Sequence, residues 1–353
     1  MDRVARRAAL IAAAGVLAAT ASAIAFGTGS ASAGGHPPAA HAITITGHAA
    51  AVTPGQQAGV RRYWTRSRME HAIPAHPARK RNAHSSVGRL SGQASRAVRL
   101  RAPVTSRRGV TVPAQQSQAK QVGAAANGAA WNGGGAIART TGKVFFTMGG
   151  HDYVCSGSTV ASANSDVVVT AAHCVKNGTG GWATNWTFVP GFAHGKQPYG
   201  SFSASRFYVA SQWSSKADND YDVAFVKVNP ARQDGAKVPV VDAVGGQGIS
   251  FGSAPARVAA FGYPADAPYS GGRLYFCSGK VSPDPYHETD DSGLRCAMTA
   301  GSSGGPWLDG FSPAAGTGTI TGVSSFKYST NSRILYGTPL GSVAQQLYQA
   351  AEG

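Results

Sequence analysis

Carboxylates are nearly missing from the first third of this 353-residue chain, where Asp2 and Glu70 alone face 17 lysines and arginines. That third carries a net charge of +15, whereas residues 131–353 hold 15 basic against 14 acidic side chains, a net +1. The overall basicity is therefore a property of the N-terminal segment and says nothing about the rest. Large apolar residues are also scarce between 34 and 130, so that stretch is expected to bury too little surface to order itself. No aromatics are interleaved with its basic clusters Arg79-Lys80-Arg81 and Arg107-Arg108, which argues against a dedicated nucleic-acid site. Neither a His-Glu-x-x-His nor a Cys-x-x-Cys motif occurs, so no metal and no cofactor is expected.

Only one long apolar run is present, at 8–26, behind Arg3, Arg6 and Arg7. It is rich in alanine and ends in Ala31-Ser32-Ala33, so residues 1–33 read as a cleaved signal peptide, not a membrane anchor. Residues 34–130 then read as a basic propeptide or linker open to proteolysis at its dibasic sites, or as an arm for an anionic cell-envelope polymer. Ordered structure is expected from near Ala136, within a domain spanning 131–353.

That domain is a series of short strands. Residues 142–155 form two runs around Gly149-Gly150, and Val167-Val168-Val169 follows a polar turn at 164–166. Further runs lie at 186–189, 202–209, 223–228, 257–261, 274–281, 318–326 and 334–336. Without βαβ alternation such a series argues for an all-β sandwich or barrel. Only 339–350 reads as a helix, with Val343, Leu347 and Tyr348 able to share a face.

Three stretches carry chemistry. In Thr299-Ala300-Gly301-Ser302-Ser303-Gly304-Gly305-Pro306, glycines allow the backbone to approach a carbonyl closely. The amides of Gly301 and Ser303 are placed to form an oxyanion hole. Thr170-Ala171-Ala172-His173-Cys174 sets an imidazole at a strand end, and Asp222-Val223-Ala224-Phe225 opens a strand with a carboxylate. His, Asp and Ser follow one another at separations of 49 and 81 residues, one of the known orders of a catalytic triad.

With all three signatures in place, residues from about 137 to 350 resemble the secreted bacterial branch of the trypsin/chymotrypsin-like serine peptidases. The resemblance implies two antiparallel six-stranded β-barrels with a C-terminal helix and a site in the cleft between them. It implies Ser303 as nucleophile, His173 as base and then acid, and Asp222 as orienter, with Asp220 the rival for the last role. Four cysteines allow three pairings, and the resemblance favours Cys155–Cys174 with Cys277–Cys296. It places the substrate pocket at Ala297, Met298, Ser325 and Phe326.

Two departures matter. Ser302 stands where many animal relatives carry an aspartate that pairs with a new N-terminus, so activation by that ion pair is not available. Ala297 stands where trypsin-like enzymes that cut after Lys or Arg carry an aspartate. Glutamate-specific bacterial relatives carry a histidine on the strand corresponding to 322–326, and none stands here, so the resemblance does not support that specificity either. An apolar pocket from Met298 and Phe326, or an acid-favouring one from Lys327, are both open at this point. The expected product is a monomeric secreted peptidase acting on proteins or peptides. The rival reading is a catalytically silent binding or adhesion protein on the same fold.

Overall fold

The valine run Val167–Thr170 is buried along its whole length instead of at alternate positions. Strands of this kind need cover on both faces, and a barrel lined inside by side chains and wrapped outside by neighbouring segments supplies it. The computed structural model describes residues 44–75, 78–79, 98–105, 125 and 127–353. The expected signal peptide lies outside the described residues.

Six strands form the first barrel: β1 (Thr141–Met148), β2 (His151–Thr159), β3 (Val167–Thr170), β4 (Thr184–Pro190), β5 (Phe202–Ala210) and β6 (Ala224–Val228). Pairing runs β1-β2-β3-β6-β5-β4 and closes on β1, antiparallel at every step. Gly149 and Gly150 both take positive φ, +57° and +84°, which a two-residue hairpin turn between β1 and β2 requires.

The second barrel repeats the same winding with β7 (Arg257–Gly262), β8 (Tyr275–Pro283), β9 (Ser292–Arg295), β10 (Pro306–Ser312), β11 (Thr317–Ser324) and β12 (Ile334–Pro339). Its ring runs β7-β8-β9-β12-β11-β10 and returns to β7, again antiparallel throughout. Against β7, β8 and β10, Trp131 meets Phe261, Phe276 and Phe311 edge-on at 5.4–5.5 Å. Closing both sheets on themselves leaves few free strand edges.

The C-terminal helix spans Ser342–Glu352 and buries Ala344, Leu347, Tyr348 and Ala351, a 3.6-residue stripe. It starts later than the expected 339 because Pro339 is still paired, with Gly322, at the end of β12. Tyr348 packs edge-on against Phe225 of the first barrel and donates its hydroxyl to the Ala161 carbonyl at 2.7 Å.

Disorder was the expectation across 34–130, and it is corrected for residues 44–75 and 98–101. The strand Ile45–Ala49 pairs antiparallel with β5. Thr53 and Gln56 then form a reciprocal capping box with Pro54 in the first turn, which starts the helix Pro54–Tyr63. A second helix, Arg66–His71, follows, and Trp64 and Met69 join a buried cluster drawn from both barrels, each 5% exposed. Further on, Val98–Arg101 pairs with Gly248–Phe251, and Arg101 reaches Tyr348 and Glu352. Averaged composition misses this because the segment's only aromatics, Tyr63 and Trp64, lie together with Val60 and Met69, where local capping signals already favour helix. Among the described residues, ordered elements are thus present well before Ala136, from Ile45.

Candidate active site

His173 follows β3 in a tight turn, Ala172–Cys174, that is tied to β2 by the Cys155–Cys174 disulfide. Its backbone N–H donates to Oδ1 of Asp222 at 2.8 Å, and its ring Nδ1 meets Oδ2 at 2.8 Å. Two contacts from one residue to both carboxylate oxygens fix the position of the turn and the plane of the ring together. Nε2 of the same ring is buried and has no hydrogen-bond partner among the described residues.

Asp222 is 1% exposed at the entry to β6. Its other donor is Ser325, whose hydroxyl bonds Oδ2 at 2.5 Å. Burial alone would push this carboxyl up. The charge of His173 and the hydrogen bonds from His173 and Ser325 outweigh that and hold it below the ordinary aspartate value. The rival Asp220 points elsewhere: its Oδ1 accepts from the backbone of Asp290 at 2.7 Å.

Ser303 is 5% exposed and sits in a loop held from three sides. Its carbonyl accepts from the Ser156 N–H at 2.7 Å. The Ser156 hydroxyl donates to the Gly301 carbonyl and accepts from the Tyr263 N–H, both at 2.8 Å. Gly304 and Gly305 exchange backbone bonds with Ser324, at 2.7 and 2.9 Å. Sγ of Cys174, the neighbour of His173, lies 3.9 Å from the Ser303 carbonyl, so the two loops meet across the cleft.

Glycine is obligatory at Gly304, whose φ is +78° and where a Cβ would lie 2.1 Å from Oγ1 of Thr170. Gly301 has φ +93°. The N–H groups of Gly301 and Ser303 donate to no acceptor among the described residues. Ser302 turns its hydroxyl back onto the Thr299 carbonyl at 2.7 Å.

Two cavities flank these residues. One, about 450 Å³, is walled by Ala297, Met298, Ser303, Ser325, Phe326 and Lys327 among others, which brings all four expected pocket residues together. The other, about 590 Å³, is walled by His173 with Phe146, Met148, Trp213 and Asn219. Ala75 of the N-terminal segment borders both.

Cys277 and Cys296 form the second disulfide, on the approach to Ala297. The His173 ring and the sulfurs of Cys155 and Cys174 lie within 4.8 Å of one another. Those sulfurs are bonded to each other, so they present no thiolate ligands to a metal. Residue patterns alone did not single out Ser156, whose hydroxyl links the Ser303 loop to Tyr263 at the end of β7, or the Ser325 hydroxyl as a donor to Asp222. Both are small residues in Ser-rich stretches, and only the crossing of strands gives them partners.

Comparison with known proteins agrees with this geometry. Residues 155–312 match the family model for the trypsin-like peptidase domain. The structure is similar to that of the protease Anisep from Arthrobacter nicotinovorans, with 41% identity, a TM-score of 0.56, and coverage of 61% of this chain and 95% of that one. It is likewise similar to the thermostable serine protease AL20 from an extremophilic microorganism, with 34% identity, a TM-score of 0.57, and coverage of 62% and 98%. A 77-residue stretch is 39% identical to a protein of Bacillus subtilis (strain 168) named extracellular metalloprotease. That match spans 22% of this chain and about a quarter, 24%, of the relative. With two closed barrels wound alike and near-complete coverage of two solved serine proteases, the chain belongs to the family of trypsin-like serine peptidases and is a serine-type endopeptidase.

Proposed function

We propose that the chain is a secreted endopeptidase that cleaves peptide bonds through Ser303, His173 and Asp222. The observation that carries this reading is the double engagement of Asp222 by His173. It holds the ring in the tautomer with its proton on Nδ1, leaving Nε2 as the base. Ser303 Oγ attacks the substrate carbonyl while Nε2 takes its proton. The N–H groups of Gly301 and Ser303 receive the negative charge that develops on the carbonyl oxygen. The intermediate collapses to an acyl-enzyme, and the leaving amine takes the proton from His173. Water then repeats the sequence, giving its proton to Nε2, and releases the acid. The pocket containing Ala297 takes the side chain on the acyl side.

The two disulfides suit an oxidising, extracellular setting, and so does the expected export signal at 1–33. On this reading residues 34–130 are a propeptide, and its basic charge is available to an anionic cell-envelope polymer.

The test is mass spectrometry on protein secreted into culture, wild type beside Ser303→Ala, with a fluorophosphonate probe and a diverse peptide library. Labelling at Ser303 and library cleavage by the processed wild type alone are the expected result. Neither event, once the N-terminal segment is gone, would leave a silent binding protein as the better reading.

A further inference from the structure

The cavity beside Ser303 has an unbalanced charge at its floor. Lys327 follows Ser325 and Phe326 and folds back so that its ammonium donates to the carbonyls of Cys296, at 2.7 Å, and Ser332, at 2.5 Å. Cys296 directly precedes Ala297, which stands where a trypsin-like pocket for basic residues holds a carboxylate, so this cation is tied to the backbone beside that position. Both acceptors are neutral, and no carboxylate lies within 4 Å of the ammonium among the described residues. Burial lowers the Lys327 pKa to about 8, as expected of a desolvated ammonium without a counter-ion. Arg333 adds a second positive group to the lining, which also includes Asp266. A carboxylate entering the cavity would supply the missing charge.

A second observation points the same way. The N-terminal segment, which the peptidase must coexist with, holds only Asp2 and Glu70 in 130 residues. Glu70 is itself placed in a helix and paired with Arg66 at 2.8 Å. An enzyme selective for acidic residues would find almost nowhere to cut this segment. From these two observations we infer that Lys327 is a specificity-determining residue that selects acidic side chains on the acyl side of the scissile bond. This rests on the peptidase reading above.

The experiment compares kcat/KM of the processed enzyme on matched peptides with Glu, Gln, Leu or Lys at the acyl-side position. Glu is expected to exceed Gln by at least about 10-fold, the scale of a charge-assisted hydrogen bond. In Lys327→Met that ratio should fall to about 1, and Lys327→Arg should restore part of it. Equal rates for Glu and Gln, or an unchanged ratio in Lys327→Met, would overturn the assignment. Fluorophosphonate labelling of Ser303 without acid preference sinks this assignment alone, whereas no labelling sinks the peptidase reading beneath it.

A different observation carries a second inference. Ile73 and Pro74 pair in parallel with Tyr153 and Val154 of β2, and the Ala75 N–H donates to the Val154 carbonyl at 3.0 Å. Ala78 and Arg79 pair in parallel with Lys327 and Tyr328. The chain thus occupies the His173 side of the cleft first and the Lys327 side afterwards. A substrate must do the opposite. Its residues before the scissile bond lie on the acyl side, with Ala297, and those after it lie on the side where His173 protonates the leaving amine. The geometry points to the stretches 73–75 and 78–79 as parts of an internal inhibitor threaded backwards, in a direction that the enzyme's own serine cannot cleave.

Purified full-length chain should therefore resist fluorophosphonate labelling at Ser303, and a cut by added trypsin at Arg79-Lys80-Arg81 should raise the labelling rate at least about 10-fold. Ala75→Trp, which forces a large ring into a position only 6% exposed, should label without any cut. Equal labelling of intact and clipped chains would overturn the inference. So would cleavage between 75 and 79 in wild type that is missing from Ser303→Ala, because that would make the segment a substrate.

Discussion

The hydroxyl of Ser325 and the ring of His173 converge on one oxygen, Oδ2 of Asp222, at 2.5 and 2.8 Å. Ser325 comes from the second barrel and Asp222 from the first, so this carboxylate is held from both sides of the cleft. Asp222 also accepts the His173 backbone N–H, which leaves the carboxylate held by three donors although it is 1% exposed.

Removing the Ser325 donor should weaken the imidazole's support without abolishing it. Ser325→Ala is expected to lower kcat about 10-fold, the scale of one hydrogen bond to a charged group. Ser325→Thr should recover part of the loss. Steady-state kinetics on one peptide substrate would show both.

Replacing the carboxylate or the nucleophile should be far more severe. Asp222→Asn is expected to lower kcat about 10⁴-fold by admitting the wrong tautomer. Ser303→Ala should cost about 10⁶-fold, with Tm changed little because a small side chain is exchanged in a loop held by its backbone. A Ser303→Ala protein that retained activity would end the assignment of the nucleophile.

The two disulfides close loops of equal length, each with a sequence separation of 19. The chain-entropy argument therefore predicts similar losses of stability, about 3 kcal/mol, when either pair is changed to serine. Activity should divide them. Loss of Cys155–Cys174 frees the turn that carries His173 and should reduce kcat well beyond loss of Cys277–Cys296. Urea melts and kinetics on the two double variants make the comparison.

Asp166, at the turn into β3, is pushed up to about 6, chiefly by burial and against the backbone bond from Val240. Below about pH 4 it is protonated in both folded and unfolded chains. As pH rises from there towards 6, the unfolded chain ionises first, so the residue's contribution shifts against folding and stays unfavourable above 6. Asp166→Asn should therefore stabilise the protein at pH 7 by up to about 3 kcal/mol and by almost nothing at pH 3. Denaturant titrations at the two pH values test the sign.

Gly304→Ala should fail. A Cβ there meets Oγ1 of Thr170 at 2.1 Å and the Ser156 carbonyl at 2.5 Å, and the φ of +78° is strained for any other residue. Loss of secretion, or of fluorophosphonate labelling in any secreted protein, is the expected result.

Much of the site was legible in the residues because its chemistry is local. The alanine pair before His173, the carboxylate before Val223-Ala224, and the glycines around Ser303 each constrain a few consecutive backbone positions. The Gly149-Gly150 turn and the C-terminal helix were readable for the same reason. The order within residues 44–75 was not readable from composition. Trp64 and Met69 gain their value only from the barrel surface that receives them, even though the Thr53–Gln56 capping box was a local signal of a helix start.

What the sequence determined by itself was the set of strands, the three chemical signatures and the charge division between N-terminal segment and peptidase domain. These depend on residue type and short spacing, which survive without a fold. What only the tertiary structure decided was direction and convergence. Asp222 was separated from Asp220 because one carboxylate faces His173 and the other faces the Asp290 backbone. Lys327 was tied to the Cys296 carbonyl, and Ile73–Pro74 was laid parallel to β2, by contacts between residues far apart in the chain. Such relationships arise from barrel closure, where strand register and side-chain reach are set jointly by many partners and no short stretch specifies them.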